Sequence, residues 1–354
     1  MSRARWLAFL IVVSALVPDA ARADEMDLTL EDLDRFDPQP GREFAWRSLV
    51  SQLGATMAPP VLEPAHTVGP GGFYLGVETW VTGIDDDEEY WGYGTEGDDV
   101  FADYNRFTRS TYTWFRLNVR KGLPYGFELG ASAGHALHTT YWTWGFTLKL
   151  ALLEGFRTGV GYAPDIAIRA SVQTLTGDSE LNLTVPSIDL ILSKPFTVAK
   201  TAQLTPFVAG QAMWMLGDSE VVDMSPGTNA YDVCDPGTPQ QSFDNNEQNP
   251  GDPARNTTVC NGDPSDFDNN HVFDQVRALR TRLTAGLQYQ YMALTLTASF
   301  AIDLLKPGQL DDDVATYDEL TGTDGAGNPE TEQVTNRDLL PRQWTVSVGA
   351  GLTY

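Results

Sequence analysis

The chain has 354 residues and is strongly acidic, with a formal net charge of −25. This charge argues against nucleic-acid binding, because attraction to phosphate requires clustered lysines and arginines and the sequence contains no basic patch. Hydrophobic residues make up 42% of the chain, and the one long apolar run is at its N-terminus. A helical membrane protein is therefore excluded, whereas a β-barrel, in which one face of each strand is apolar, is compatible with the composition.

Residues 1–23 have the features of a cleaved signal peptide. A positively charged start precedes a short apolar run over residues 6–17, and Ala21 and Ala23 supply the small residues of a cleavage site. The run is shorter than the ~20 apolar residues that a membrane-spanning helix needs. We therefore expect export, with a mature chain that begins at Asp24.

Residues 24–70 differ from the rest of the chain. Apolar residues recur at helical spacing over residues 45–57, which predicts a short helix that ends at Pro59 and Pro60. We predict a periplasmic segment whose helix packs beneath the mouth of the barrel described next. A helix inserted into the lumen as a plug is the alternative.

From residue 71 to residue 354, apolar and polar residues alternate in about ten segments. Each segment is close to the 9–11 residues that a tilted membrane strand requires. We predict an all-β fold, an up-and-down antiparallel transmembrane β-barrel of about ten strands (8–12). The predicted strands are residues 72–82, 111–121, 126–135, 142–152, 165–175, 181–194, 204–216, 276–289, 292–303 and 343–354.

The connections between these segments are asymmetric. Residues 84–110, 217–275 and 304–342 form long acidic loops that all fall on the same side of the predicted barrel. Short periplasmic turns and long external loops are typical of outer-membrane barrels. The three long loops are therefore predicted to be extracellular.

The last predicted strand has one apolar face, whereas its other face is small and hydroxylated. It resembles the C-terminal insertion signal of bacterial outer-membrane β-barrels, in which the last residue is most often Phe. The resemblance covers residues 71–354 and implies a Gram-negative outer membrane, contact with its lipid and lipopolysaccharide, and assembly by the barrel-assembly machinery. It implies no substrate. The residues that carry the signal are Trp344, Val346, Val348, Leu352 and Tyr354.

Charged residues fall on the strand faces opposite the apolar ones, so they are predicted to line the lumen. They could select solutes, with a net positive wall that favours anions. Alternatively they form ion pairs that fill a narrow closed lumen, because open aqueous channels are typical of 16–18 strands. These residues are Glu78, Arg116, Arg120, Glu128, Lys149, Arg169, Asp189, Arg280 and Arg282.

Two further patterns predict local features of the barrel. In residues 181–194 the apolar positions change face at Pro186, which predicts a β-bulge. Aromatic residues near strand ends predict interfacial girdles. The main girdle candidates are Trp80, Tyr90, Trp91, Tyr93, Tyr141, Trp142, Trp144, Trp214, Tyr289, Tyr291, Trp344 and Tyr354.

Cys234 and Cys260 lie in one predicted external loop and are expected to form a disulfide, because the further ligands of a metal site are missing. No cofactor is expected. Two acidic runs could bind Ca²⁺ weakly, although solvated acidic loop tips are the preferred explanation. The runs are Asp85, Asp86 and Asp87 in one loop and Asp311, Asp312 and Asp313 in another.

No assembled catalytic motif occurs, so we expect no enzyme. Ser132, His135 and His138 near the barrel rim are the one catalytic candidate, as in a rim-located outer-membrane enzyme. The leading hypothesis is a channel or transport-type barrel for small solutes. The alternative is a non-conducting structural or surface-interaction barrel. No feature of the sequence defines an oligomeric state.

Overall fold

The computed structural model describes residues 25–36, 41–97, 105–106, 108–154, 163–198, 202–224, 270–304, 316–323, 329–335 and 342–354. Its helices are a 3-10 helix (Glu31–Phe36), α1 (Gly41–Met57), α2 (Glu89–Tyr93) and a 3-10 turn (Pro124–Gly126). Its strands are β1 (Phe73–Gly83), β2 (Thr111–Gly122), β3 (Phe127–Ala136), β4 (Trp142–Leu153), β5 (Asp165–Thr176), β6 (Leu181–Ser193), β7 (Phe196–Val198), β8 (Ala202–Ser219), β9 (Val222–Asp223), β10 (Asn270–His271), β11 (Val276–Tyr291), β12 (Leu294–Asp303), β13 (Thr316–Thr323), β14 (Pro329–Thr335) and β15 (Trp344–Thr353).

Ten of these strands close into an antiparallel barrel. They pair in the order β1, β2, β3, β4, β5, β6, β8, β11, β12 and β15, and β15 pairs with β1 to complete the circle. The short strand β7 pairs with the start of β8, while β9–β10 and β13–β14 form separate two-stranded pairs. The all-β fold and the ten-strand barrel predicted from sequence are therefore confirmed.

The outer surface of the barrel is apolar. On β15, Val346 and Val348 face outward and are more than two-fifths exposed, whereas Thr345 and Ser347 face inward and are buried. The same alternation continues around the barrel, since residues that pair across strands share a face. The five residues of the predicted insertion signal, Trp344, Val346, Val348, Leu352 and Tyr354, all lie on the outer surface.

The helix α1 lies inside the barrel. It contacts β1, β2, β6, β8 and β11, and 14 of its 17 residues are buried. The expectation that this helix packs beneath the barrel mouth is therefore wrong. In the half of the barrel toward the long loops, the inward side chains are apolar. The helix lies in the lumen because it packs against them.

Strand β6 shows how the barrel wall adapts to this helix. Its pairing with β5 continues in one register through Pro186, opposite Val172, so the predicted β-bulge is wrong. The apolar residues before Pro186 point inward toward α1, whereas two of those after it face outward and Ile191 is buried. The inward set is Leu181, Leu183 and Val185, and the outward set is Ile188 and Leu190.

Several aromatic residues assigned to the girdles instead pack in the interior. Trp80 donates a hydrogen bond from its indole nitrogen to the Thr56 carbonyl oxygen over 2.7 Å, and Trp114 donates to the Thr56 hydroxyl over 3.2 Å. The girdle prediction is therefore wrong for the four buried residues among its candidates, since they surround α1. These four residues are Trp80, Tyr90, Trp91 and Tyr141.

The N-terminal segment runs the length of the lumen. At one end the Met26 amide donates to the His138 carbonyl over 3.1 Å, between the ends of β3 and β4. At the other end the Phe73 amide donates to the carbonyl of Tyr354, the last residue of the chain. In the part of the chain that the structure describes, no helix is long and apolar enough to cross a membrane.

The position of residues 25–36 can be tested by labelling. If the Tyr354 end of the barrel faces the periplasm, as the chain ends of outer-membrane barrels typically do, residues 25–36 lie at the cell surface. In a background with Cys234 and Cys260 replaced by serine, Asp32→Cys should react with a membrane-impermeant maleimide on intact cells. The control Tyr125→Cys, in the opposite β2–β3 turn, should react only after permeabilisation. Labelling of Tyr125→Cys alone would show the reverse orientation.

Candidate functional site

The nine charged residues predicted to line the lumen all lie in the barrel interior, and none is more than 5% exposed. Their charges are engaged by each other and by two acidic residues absent from the predicted set. Asp303 lies at the end of β12, and Glu63 lies in the segment between α1 and β1. Strand alternation could have located Asp303 in the lumen, because Asp303 lies on the same inward face of β12 as Thr295 and Thr297. No periodic signal marks Glu63.

Arg280 and Arg282 on β11 form one cluster with Asp303. The Arg280 guanidinium lies 2.6 Å from one carboxylate oxygen of Asp303, and the Arg282 guanidinium lies 3.3 Å from the other. Arg282 also donates to the carbonyl of Ala55 over 3.1 Å. Since the last four carbonyls of a helix have no partner within it, Arg282 satisfies one of them and fixes the end of α1 to the wall.

Glu78 on β1 organises a second cluster. It accepts a hydrogen bond from Arg116 Nε over 2.8 Å and another from the Asn118 amide over 2.9 Å. The Arg116 guanidinium also lies 5.1 Å from the ring centre of Trp80, a distance suited to a cation–π contact. This cluster therefore joins the polar part of the lumen to the aromatic part that surrounds α1.

The third cluster surrounds Glu63. Its carboxylate lies 2.7 Å from Lys149 Nζ and 3.2 Å from Arg169 Nη1, and it also pairs with Arg120. These cations project from three different strands, β4, β5 and β2. Glu63 therefore connects the N-terminal segment to three of the ten barrel strands.

Backbone hydrogen bonds hold the rest of residues 58–71 in the lumen. The Ala65 amide donates to the Ser193 hydroxyl over 3.0 Å, and the Val68 amide donates to Glu128 over 2.8 Å. The Thr67 amide donates to Glu154 over 2.8 Å. An extended segment has no internal hydrogen bonds, so the wall supplies partners for its buried backbone.

At the opposite end, carboxylates crowd the contact between residues 25–36 and the loops. Burial, followed by the neighbouring carboxylates, raises the pKa of Glu96 from 4.5 to about 7. Burial also raises the pKa of Glu31, Asp178 and Glu180. The neighbours that act on Glu96 are, in decreasing order, Asp27, Glu180, Glu31 and Asp178.

The structure does not assemble the candidate rim catalytic residues. Ser132 and His135 lie on opposite faces of β3, since they are three positions apart along the strand. His135 contacts the Tyr141 carbonyl through Nδ1 over 2.8 Å, and His138 lies 3.3 Å from Glu25. Each histidine therefore has a partner of its own at the rim.

The remaining site predictions fall largely outside the described residues. Cys234, Cys260 and the run of residues 311–313 lie there, so the disulfide and half of the calcium prediction are untested. Asp85, Asp86 and Asp87 lie just after β1. Within the described ranges, no group of three or more histidine, cysteine, aspartate or glutamate side chains is arranged to hold a metal ion.

No protein-family model matches the chain, and no curated protein matches it. Solved structures with a similar fold include the outer membrane protein OprG from Pseudomonas aeruginosa, 8% identical over 82% of this chain and 99% of that chain, with a TM-score of 0.28. Ail, the attachment invasion locus protein of Yersinia pestis, is 9% identical over 80% and 99%, with a TM-score of 0.24. The outer membrane protease OmpT from Escherichia coli is 7% identical over 84% and 99%, with a TM-score of 0.28.

These TM-scores are too low to support an argument, so the assignment depends on the geometry of this chain. Ten strands close on themselves, the outer surface is apolar and the interior is charged. A closed barrel satisfies every strand hydrogen bond without water, which is the condition for crossing a bilayer with strands. The chain is a transmembrane β-barrel of the bacterial outer-membrane type.

The Asp303 cluster gives a stability prediction. Asp303→Asn leaves Arg280 and Arg282 buried without their counter-charge, and loss of one partner of a buried ion pair typically costs about 3–5 kcal/mol. We expect a decrease of that size in the free energy of unfolding, measured by urea titration in lipid vesicles. Asp218→Asn, at the exposed end of β8, is the control and should change it by less than about 0.5 kcal/mol. Equal effects of both variants would contradict the role of Asp303.

Glu96 gives a pH prediction. Its pKa is higher in the folded protein than in the unfolded chain, so its stabilising effect is complete below pH 4.5 and is lost as pH rises through about 7. The bonds between residues 25–30 and the rim should therefore weaken between pH 5 and pH 8. Amide hydrogen exchange at Leu28 and Thr29, corrected for the intrinsic rate, should accelerate over this range. Glu96→Gln should remove most of the change; an unchanged pH profile in this variant would exclude Glu96 as the cause.

Proposed function

We propose that this protein is an outer-membrane barrel that is closed to solutes in its resting state and acts at the cell surface through its acidic loops. The observation that supports this proposal most strongly is the occupation of the lumen by α1 and residues 58–71. It favours the non-conducting barrel over the open channel that was the leading hypothesis from sequence.

The energetics of the helix support a closed lumen. Five apolar side chains of α1 are completely buried in the barrel, and exposing each to water costs about 1.5–3 kcal/mol. Together they oppose release by roughly 7–15 kcal/mol, so an open state would occur in fewer than about one molecule in 10⁵. The five side chains are Trp46, Leu49, Val50, Leu53 and Met57.

The charge distribution supports a role for the loops. The three long loops contain thirty of the 48 acidic side chains of the chain and six of its 23 basic ones. Nearly all of the net negative charge therefore lies outside the barrel strands. A surface of this kind attracts cationic partners over about one Debye length, near 8 Å at physiological ionic strength.

The proposal also includes export by a cleaved signal peptide over residues 1–23 and a Cys234–Cys260 disulfide within the loop of residues 217–275. It includes insertion by the barrel-assembly machinery among outer-membrane lipids and lipopolysaccharide. We propose no enzymatic activity, since Ser132 and His135 lie on opposite faces of β3.

A gated channel is the second candidate. Residues 58–71 are held largely by ion pairs and hydrogen bonds, which water can replace, whereas α1 also has extensive apolar contacts. A trigger that removes the whole segment would expose the wall cations Arg120, Lys149 and Arg169 to the lumen. This candidate therefore requires a partner that supplies the free energy to extract α1.

Planar-bilayer recording on the refolded protein separates the two candidates. We expect no conductance from the wild type. Leu49→Asp with Leu53→Asp places two carboxylates in the apolar contact, so α1 should leave the lumen and discrete channels should appear. Arg47→Ala, on a more exposed part of the helix, is the control and should remain silent. Channels in the wild type without any added partner would overturn the closed-barrel proposal.

A further inference from the structure

The three cations around Glu63 are held in place by the barrel itself. Arg120 and Lys149 lie 3.2 Å and 3.1 Å from the Glu128 carboxylate on β3, and the Arg169 guanidinium lies 2.6 Å from Asp189 on β6. Arg120 also stacks on the Tyr74 ring, with its guanidinium carbon 3.9 Å from the ring centre. Each cation therefore has an anchor in the wall that does not depend on the N-terminal segment.

The wall residues of this cluster carry one more positive charge than negative charge, so one additional carboxylate neutralises them. The wall contributes three cations, Arg120, Lys149 and Arg169, but only two of the carboxylates in contact with them, Glu128 and Asp189. Glu63 supplies the third negative charge and is itself completely enclosed by the cations, at 3% exposure. A buried cation without a counter-charge is costly, so the wall favours an anion at this position.

A cavity lies between Arg120 of this cluster and the Tyr354 end of the barrel. It has a volume of about 110 Å³ and is lined by Arg120, by His66 of the N-terminal segment and by Gln290 and Thr353 near the barrel mouth. This volume is well above the ~10–15 Å³ that holds one water molecule. A space beside residues 64–68 therefore already exists on the mouth side of Arg120.

We propose that Arg120, Lys149 and Arg169 form a carboxylate-binding site in the lumen wall, which Glu63 occupies in the closed barrel and a free carboxylate can occupy in its place. The proposal rests on the closed barrel described above and gives it a ligand class. A carboxylate ligand that enters from the Tyr354 end competes with Glu63 and releases residues 58–68 from the wall. The helix α1 can stay in the lumen, because its apolar contacts do not involve Glu63.

Chemical rescue tests this site in the full-length refolded protein. Glu63→Ala removes the carboxylate and leaves space for a small ligand. Amide hydrogen exchange over residues 58–68 should accelerate by roughly 100- to 4,000-fold, as loss of one partner of a buried ion pair predicts. Saturating acetate should return the exchange rate to within about tenfold of wild type. Acetamide, a neutral molecule of the same shape, should have no effect.

Two variants control for the position of the ligand. Glu63→Gln keeps the volume of the side chain but not its charge, so its exchange should accelerate without rescue by acetate. In Glu63→Ala combined with Arg169→Gln, one cation of the site is lost and acetate should no longer slow exchange. Equal effects of acetate and acetamide on Glu63→Ala would overturn the proposal.

If Glu63→Ala does not refold alone, the refolding yield becomes the measurement. Acetate should then raise the yield above that in acetamide, and equal yields in the two would overturn the proposal. The rescue experiment and the conductance experiment test different proposals. A conducting wild type with intact acetate rescue would remove the closed-barrel function but not the site, whereas a silent barrel without rescue would remove only the site.

Discussion

The interior of a ten-stranded barrel has to be filled or hydrated, and this requirement determines most of the structure. Eight strands enclose a space that inward side chains can fill, and each further strand widens it. Here the chain fills the added space with its own residues 41–71. Toward the long loops, the inward side chains of β1, β2, β6, β8 and β11 are consequently those of a packed core around α1.

The filling differs between the two halves of the barrel. Toward the long loops, Trp80, Trp114 and Met215 form an apolar lining around α1. Toward the Tyr354 end, where the segment has no helix, the lining combines apolar side chains with charges and hydroxyls that serve as hydrogen-bond partners for an extended backbone. The chemistry of the wall thus follows the conformation of the segment beside it, because a helix satisfies its own backbone and an extended chain does not.

The fold could be predicted from sequence because strand alternation is a local property. The ten strands, the pairing of β1 with β15 and the inward position of residues such as Arg280 follow from a period of two and the closure of the sheet. What fills the lumen could not be predicted in this way. The alternation at Pro186 was interpreted as a bulge because an apolar inward face was not expected, and Trp80 was assigned to the membrane interface for the same reason. Glu63 depends on a contact between distant parts of the chain, for which a single sequence carries no pattern.

The connection between residues 58–71 and β1 constrains how the protein can be assembled. The segment inside the lumen leads directly into β1, and β1 forms the seam with β15. Residues 25–36 are bonded to the opposite rim, so inserting the segment after closure would require threading these residues through a finished barrel. Closing the seam around a segment already in position avoids this step. In this order of assembly, α1 is in place first and the sheet closes around it when its two edge strands, β1 and β15, pair.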